Sequence, residues 1–169
     1  ELLGNGFSNR NKFRVRWYDD IQNSEVFFEK KTKINQTTQK TKISLGKFKN
    51  ELDLNLFIKS NDFVNAIFKV TSLNLVQVLS VSYNRDYFID TESKLRITFD
   101  QKITTHQNSE GKFYKNFADL NNNILEFKYS NENSQYVRKK MYDLNFNVRN
   151  QKFSKYVQSF MILNEMGHN

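Results

Sequence analysis

The feature that most constrains the fold is the alternation within "FRVRWYDDIQNSEVFFEKKTK", residues 13–33. In an extended strand, successive side chains point to opposite faces. Arg14 and Arg16 therefore share one face, and Phe13, Val15 and Trp17 share the other. After the turn-like "DDIQN", Glu29, Lys31 and Lys33 share a face opposite Val26 and Phe28. The pattern recurs downstream. In "SVSYNRDYF", Tyr83, Arg85 and Tyr87 fall on one side. In "LRITFDQ", Arg96, Thr98 and Asp100 oppose Leu95, Ile97 and Phe99. In "ILEFKY", Glu126 and Lys128 oppose Leu125, Phe127 and Tyr129. Each strand thus carries an ionic face and an apolar face.

The periodicity predicts strands near 12–18, 24–34, 40–46, 79–89, 94–102 and 122–130, separated by "NQTTQ", "DTES" and "DLNNN". Helical spacing of Phe63, Ile67, Val70 and Leu73 predicts a helix over 61–78, capped by Asn61 or Asp62. Further helices are expected near 134–145 and 153–164, and Gln107–Phe117 reads as a polar loop or hairpin. No linker or internal repeat divides the chain, so 1–169 reads as one domain. The fold class is α+β, an antiparallel sheet with helices covering its apolar faces. Any one strand alone reads as the wet face of an ordinary sheet. Adjacent strands repeating Arg, Lys and Glu at the same parity would repel unless an anion lay between them. A sheet that curls and closes turns such faces into a water-filled, charged tunnel.

Charge agrees. Lys and Arg number 26 against 18 Asp and Glu, a net +8, which favours an anionic partner. A nucleic-acid surface binder would interleave aromatics with the basic residues on one open face. Here Phe13, Trp17, Phe99 and Phe127 fall opposite the charges, which argues against nucleic acid. The chain has no Cys, which excludes thiol chemistry and suits a reducing, cytoplasmic compartment. Its two His, His106 and His168, are far apart, so a His-rich metal site is not expected; His106 reads as incidental. No apolar run approaches the roughly 20 residues of a membrane span. The start, "ELLGNGFSNRNK", has neither a signal-peptide layout nor an initiator Met and reads as the interior of a longer product.

The stretches "KFRVRWY", "VFFEKKTK", "VSYNRDYF", "LRITFDQ", "ILEFKY" and "KFSKYVQSF" occur in the order and approximate spacing of the VTC domain. That is the polyphosphate-polymerase branch of the CYTH-like triphosphate tunnel metalloenzymes, which the chain resembles over roughly residues 10–163. The resemblance implies an eight-stranded antiparallel barrel forming a triphosphate tunnel flanked by helices. It implies basic side chains that bind ATP or another triphosphate and the inorganic polyphosphate product, and a late-strand glutamate that holds Mn²⁺ or Mg²⁺. By motif, Arg14 and Arg16 match the R-x-R pair, and Lys31 matches the lysine that follows Glu29 in E-x-K. Lys42 matches the lysine of the next strand, with Lys40 leaving the register open. Arg85 matches the Y-x-R arginine, Arg96 the R-x-T-x-D arginine, Glu126 the metal-binding glutamate and Lys155 the S-K-Y lysine. Arg14, Arg16, Lys31, Arg96 and Lys155 are then the expected catalytic residues. Lys33, Lys42, Arg85 and Lys128 are the expected substrate-binding ones, and Glu126 and Glu29 the metal ligands. The family's domain begins with a helix and a strand upstream of R-x-R. Nothing here matches them, so the expected barrel is N-terminally incomplete and its activity reduced or lost.

The chemistry assigns similar roles. Phosphoryl transfer spreads charge over nonbridging oxygens, so catalysis is mostly positioning and fixed positive charge. Arginine forks suit phosphate oxygens and lysines supply point charges. A hard divalent ion prefers carboxylate oxygen, which points to Glu126, helped by Glu29 or Asp100. Both of those also read as cross-strand ion-pair partners. Tyr83 and Tyr87 read as wall packing, and Lys155 would be a surface lysine but for its motif. The leading expectation is a polyphosphate polymerase that uses ATP. The alternatives are a triphosphatase of the same superfamily and a non-catalytic polyanion-binding module.

Overall fold

The alternating stretches form antiparallel strands in the computed structural model, which describes residues 10–34, 37–92, 95–107, 117–143, 145 and 153–167. The architecture is α+β. Among the described residues it comprises two antiparallel sheets and four helices, divided between two compact units, Glu1–Leu75 and Val76–Asn169.

The first unit contains β1 (Arg10–Arg16), β2 (Val26–Ile34) and β3 (Thr37–Gly46), followed by α1 (Glu51–Ile58) and α2 (Asn61–Thr71). β2 is central, with Arg14 opposite Glu29 and Glu29 opposite Lys42. This register puts Phe13, Val15, Phe28 and Ile43 on the face away from the charges. Phe63 and Ile67 of α2 pack there against Phe28, joined by Phe57 and Ile58 of α1. Leu54 of α1 packs with Ile21, Val26 and Phe48. Phe57 and Phe63 meet with ring centroids 5.3 Å apart. Burying a Phe, Leu or Ile side chain contributes about 1.5–3 kcal/mol, so this layer fixes which face of the sheet stays wet.

Helix α1 falls between the expected strand 40–46 and helix 61–78, where no element was expected, and its Leu52, Leu54 and Leu56 alternate like a strand. Only Leu54 is buried; Leu52 and Leu56 stand in solvent. A reciprocal cap starts the helix: Asn50 Oδ1 accepts from Asp53 N–H at 2.9 Å, and Lys49 N–H donates to Asp53 Oδ2 at 3.2 Å. Helix α2 is shorter than the expected 61–78, and its cap is Ser60, whose Oγ accepts from Phe63 N–H at 3.3 Å. It stops at Ser72, which adopts φ 56°, a left-handed terminus.

The second unit contains β4 (Leu79–Asp90), β5 (Leu95–Gln107), β6 (Phe117–Leu120) and β7 (Ile124–Lys128). A 3-10 turn over Asn131–Asn133, α3 (Ser134–Asp143) and α4 (Lys155–Gly167) follow. β5 runs past the expected end at 102. Its first half pairs with β7 and its second half with β6, while β4 pairs along its length. Residues 108–116 of the expected loop or hairpin lie outside the described residues; Gln107 and Phe117 belong to β5 and β6. The register slips between Ser82 and Asn84, opposite Lys102 at φ 50°. This bulge reverses the parity of β5, so Ile103 and Thr105 join the face of Asp100 instead of Lys102 and Thr104. That continuation is buried, with Ile103 and Thr105 fully enclosed. Helix α4 packs against β4, β5 and β6 and turns Ser159 and Leu163 inward.

Strand pairing among the described residues does not close these ladders into a barrel. No helix among them is long and apolar enough to cross a membrane.

Candidate functional site

In the first unit the register gathers cations on one face. Arg10, Lys12, Arg14 and Arg16 of β1 share it with Lys31 and Lys33 of β2 and with Lys40 and Lys42 of β3. Among the paired residues of that face, the only carboxylate is Glu29, at the middle of the central strand. Its side chain is 2% exposed. Arg14 Nη2 lies 2.6 Å and Arg16 Nη1 3.5 Å from Oε2, and Arg14 Nε donates to the same oxygen at 2.7 Å. Lys40 Nζ lies 2.8 Å from Oε1. Lys42 instead sits over the Phe27 ring, 3.3 Å from its centroid. Lys12, Lys31 and Lys40 stand directly opposite one another across the three strands, an arrangement that repels. Partial burial, then Arg10, Lys31 and Arg14, hold the Lys12 amine below its usual range.

Burial alone would raise the Glu29 carboxyl. The Lys40 and Arg14 contacts, with the charge of Arg16, outweigh it and bring the group from 4.5 down to about 2. A carboxyl lowered on folding stabilises the fold above its unfolded value, and that stability disappears as pH falls through the folded value. The window therefore runs from about pH 4.5 down to pH 2. The full shift corresponds to about 3 kcal/mol, and solvent around the half-exposed Arg14 and Lys40 reduces it to about 1–3 kcal/mol. Asp100, also lowered, adds to the same acid limb. Urea midpoints should hold from neutral pH to about pH 5 and fall below it, and the fall should be shallower in Glu29→Gln. An identical acid limb in that variant would remove Glu29 as its source.

In the second unit Arg85 faces Asp100, Thr98 faces Glu126, and Arg96 faces Lys128. Asp100 is fully buried and receives a fork from Arg85, with Nε to Oδ1 at 2.5 Å and Nη2 to Oδ2 at 2.7 Å. Lys155, the first residue of α4, closes on Oδ2. The Tyr83 ring serves both cations, 5.0 Å from the Arg85 guanidinium and 4.6 Å from Lys155 Nζ. The Asp100 hydrogen bonds raise Arg85 further, so its charge is permanent. Burial would raise Asp100, but Arg85 and Lys155 hold it low. Arg96 and Lys128 lie further along the same face and are exposed. Glu126 is 46% exposed and pairs with Lys128 at 3.0 Å.

The described residues contain no cluster of three or more His, Cys, Asp or Glu able to cage a metal. A single accessible carboxylate such as Glu126 still fits Mg²⁺ or Mn²⁺, which commonly take one or two carboxylates and complete their shell with phosphate oxygens and water. Glu29 fits less well, because cations engage both its oxygens.

Arg14, Arg16, Glu29, Lys31, Lys33 and Lys42 are therefore brought onto one face of the first unit. Arg85, Arg96, Glu126, Lys128 and Lys155 are brought onto one face of the second. Motif matching did not reach Arg10, Lys12 or the Lys40 contact. Extending the alternation of β1 by two steps and of β3 by one would have found them. The wall-packing reading of Tyr83 omitted its contact with both cations.

A comparison with curated proteins returned no match. The family model described as VTC domain matches residues 4–164. Membership points to a polyphosphate-related function, and the two basic faces just described are chemically suited to such a polyanion. By that match over nearly its whole length, the chain belongs to the VTC domain family.

Proposed function

We propose that the protein is a metal-dependent phosphotransferase that moves the terminal phosphate of ATP onto a growing inorganic polyphosphate chain. The observation that carries this reading is the face of β1–β3, where cations from all three strands surround one buried carboxylate. A face built that way suits an extended multivalent anion. Family membership supports the substrate class. The reading includes the closed tunnel implied by the resemblance and a cytoplasmic setting.

The reaction needs a terminal oxygen of the acceptor chain to attack the γ-phosphorus of ATP. The bond from that phosphorus to the bridging oxygen breaks, ADP leaves, and the chain is one phosphate longer. Arg14, Arg16 and Lys31 of the first unit, and Arg96 of the second, would each engage nonbridging phosphate oxygens. Lys33, Lys42, Arg85 and Lys128 would bind the remainder of the polyanion, and Lys155 would add charge from α4. Glu126 would hold Mn²⁺ or Mg²⁺, which when bound neutralises charge developing on the phosphate oxygens.

Incubation with ATP and Mn²⁺ or Mg²⁺, resolved on a gel, tests the reaction. Long polyphosphate supports it, whereas release of inorganic phosphate without chains would identify a triphosphatase. Binding without turnover would leave a polyanion-binding module. Arg96→Ala should weaken tripolyphosphate binding by about 1.5–3 kcal/mol, the range for a hydrogen bond to a charged group. Unchanged affinity by calorimetry would remove Arg96 from the site.

A further inference from the structure

Glu29 needs an account of its own. A carboxylate 2% exposed lies beneath a face whose other charged ladder residues are all cations. Arg14, Arg16 and Lys40 converge on its two oxygens. Two of these cations, Arg14 and Lys40, have side chains about half exposed and long enough to swing between partners. A divalent ion approaching Glu29 would meet three positive charges first, which opposes a metal-ligand role. A phosphate approaching the same cations would meet a carboxylate already holding them.

We propose that Glu29 is a resident counter-anion. In the free protein it neutralises and gathers Arg14, Arg16 and Lys40, and an incoming triphosphate takes over contacts that Glu29 makes. This rests on the triphosphate-binding reading above and adds a role to one residue of it. The carboxylate keeps a crowded basic face folded while the site is empty. Its cost is paid in affinity, because every bound anion must compete with it. Glu29 is a positioning residue in this scheme and touches no reacting atom.

The scheme separates stability from affinity. A purely structural Glu29 predicts that Glu29→Gln is less stable and binds anions no better. A metal ligand predicts that the variant loses metal. A counter-anion predicts a less stable free protein that binds anions more tightly, because one competing negative charge is gone.

The test is isothermal calorimetry of inorganic tripolyphosphate with wild type and Glu29→Gln, without metal and at matched ionic strength. Affinity should rise at least about tenfold in the variant, and tripolyphosphate should raise its melting temperature more than that of wild type. Equal or weaker binding by folded variant overturns the proposal. Mn²⁺ retention in the presence of tripolyphosphate, read by electron paramagnetic resonance, should not change, and its loss would make Glu29 a metal ligand instead. Should Glu29→Gln not fold alone, tripolyphosphate should restore cooperative unfolding where sodium chloride of equal ionic strength does not. Failure of both to restore it overturns the proposal. If wild type itself binds no tripolyphosphate, the phosphotransferase reading falls and the counter-anion with it. If wild type binds and the variant gains nothing, the counter-anion alone falls.

Discussion

Asp100→Ala is expected to destabilise the second unit by about 3–5 kcal/mol, the cost of leaving buried charges uncompensated. Asp100 is fully enclosed and is the acceptor for both Arg85 and Lys155. Neither cation is well exposed, and both lean on the ring of Tyr83. Without the carboxylate, two like charges remain close together and largely out of water, and the first turn of α4 loses its tie to β5. Urea denaturation should therefore show a lower midpoint for Asp100→Ala. Replacing Lys155 as well, in Asp100→Ala/Lys155→Met, should recover part of the loss, since one buried cation instead of two is then left without its carboxylate. A loss below about 1 kcal/mol in the single variant would mean that water reaches the cluster and screens it.

That cluster also marks a boundary of sequence reading. Side-chain parity alone places Arg85, Asp100 and Arg96 on a common face, because the period of a strand is two and the residues on either side differ sharply in chemistry. The same logic works for Arg14, Arg16, Glu29, Lys31 and Lys33. It fails where the backbone inserts a residue. The bulge at Lys102 reverses the parity of β5, and nothing in "DQKITTHQ" announces it, since Lys102 takes a left-handed conformation without being Gly, Asn or Asp. Beyond the bulge the Asp100 face becomes the apolar seat of α4. A helix expected to cover an apolar face thus covers the continuation of an ionic one, and Lys155 reaches Asp100 from it.

Helix α1 shows a different limit. The alternating leucines of "ELDLNLFI" carry the period of a strand, and the helical signal lies in Asn50 and Asp53, which cap the first turn reciprocally. Capping is a local hydrogen-bonding preference and overrides a weak apolar pattern when only one leucine of the three is buried. The charge on Glu29 and its cross-strand ion pairing were legible, but which lysine of β3 joins it was not. Its direct neighbour across the ladder is Lys42, yet the lysine that reaches it is the diagonal Lys40, because Lys42 lies over Phe27. Sequence spacing sets register positions, whereas rotamers and ring contacts decide which of two equivalent lysines closes an ion pair.

Glu126→Gln separates binding from chemistry in the proposed reaction. Glu126 is about half exposed and pairs with Lys128 along its own strand. An exposed ion pair of this kind contributes about 0–1 kcal/mol, so the substitution should leave the denaturation midpoint nearly unchanged. Gln keeps the shape and removes the charge. Tripolyphosphate binding without metal should stay the same or tighten, because a negative charge has left a basic face. Metal-dependent behaviour should change sharply. Mn²⁺ retention in the presence of tripolyphosphate, followed by electron paramagnetic resonance, should weaken by about 10–100-fold. Turnover with ATP should fall at least about a hundredfold, equivalent to about 2.7 kcal/mol of barrier, since charge developing on the phosphate oxygens would go unneutralised. Loss of turnover together with loss of stability would instead describe a damaged fold. Full Mn²⁺ retention and full turnover would reduce Glu126 to the partner of Lys128 and send the search for the metal to other carboxylates of the chain.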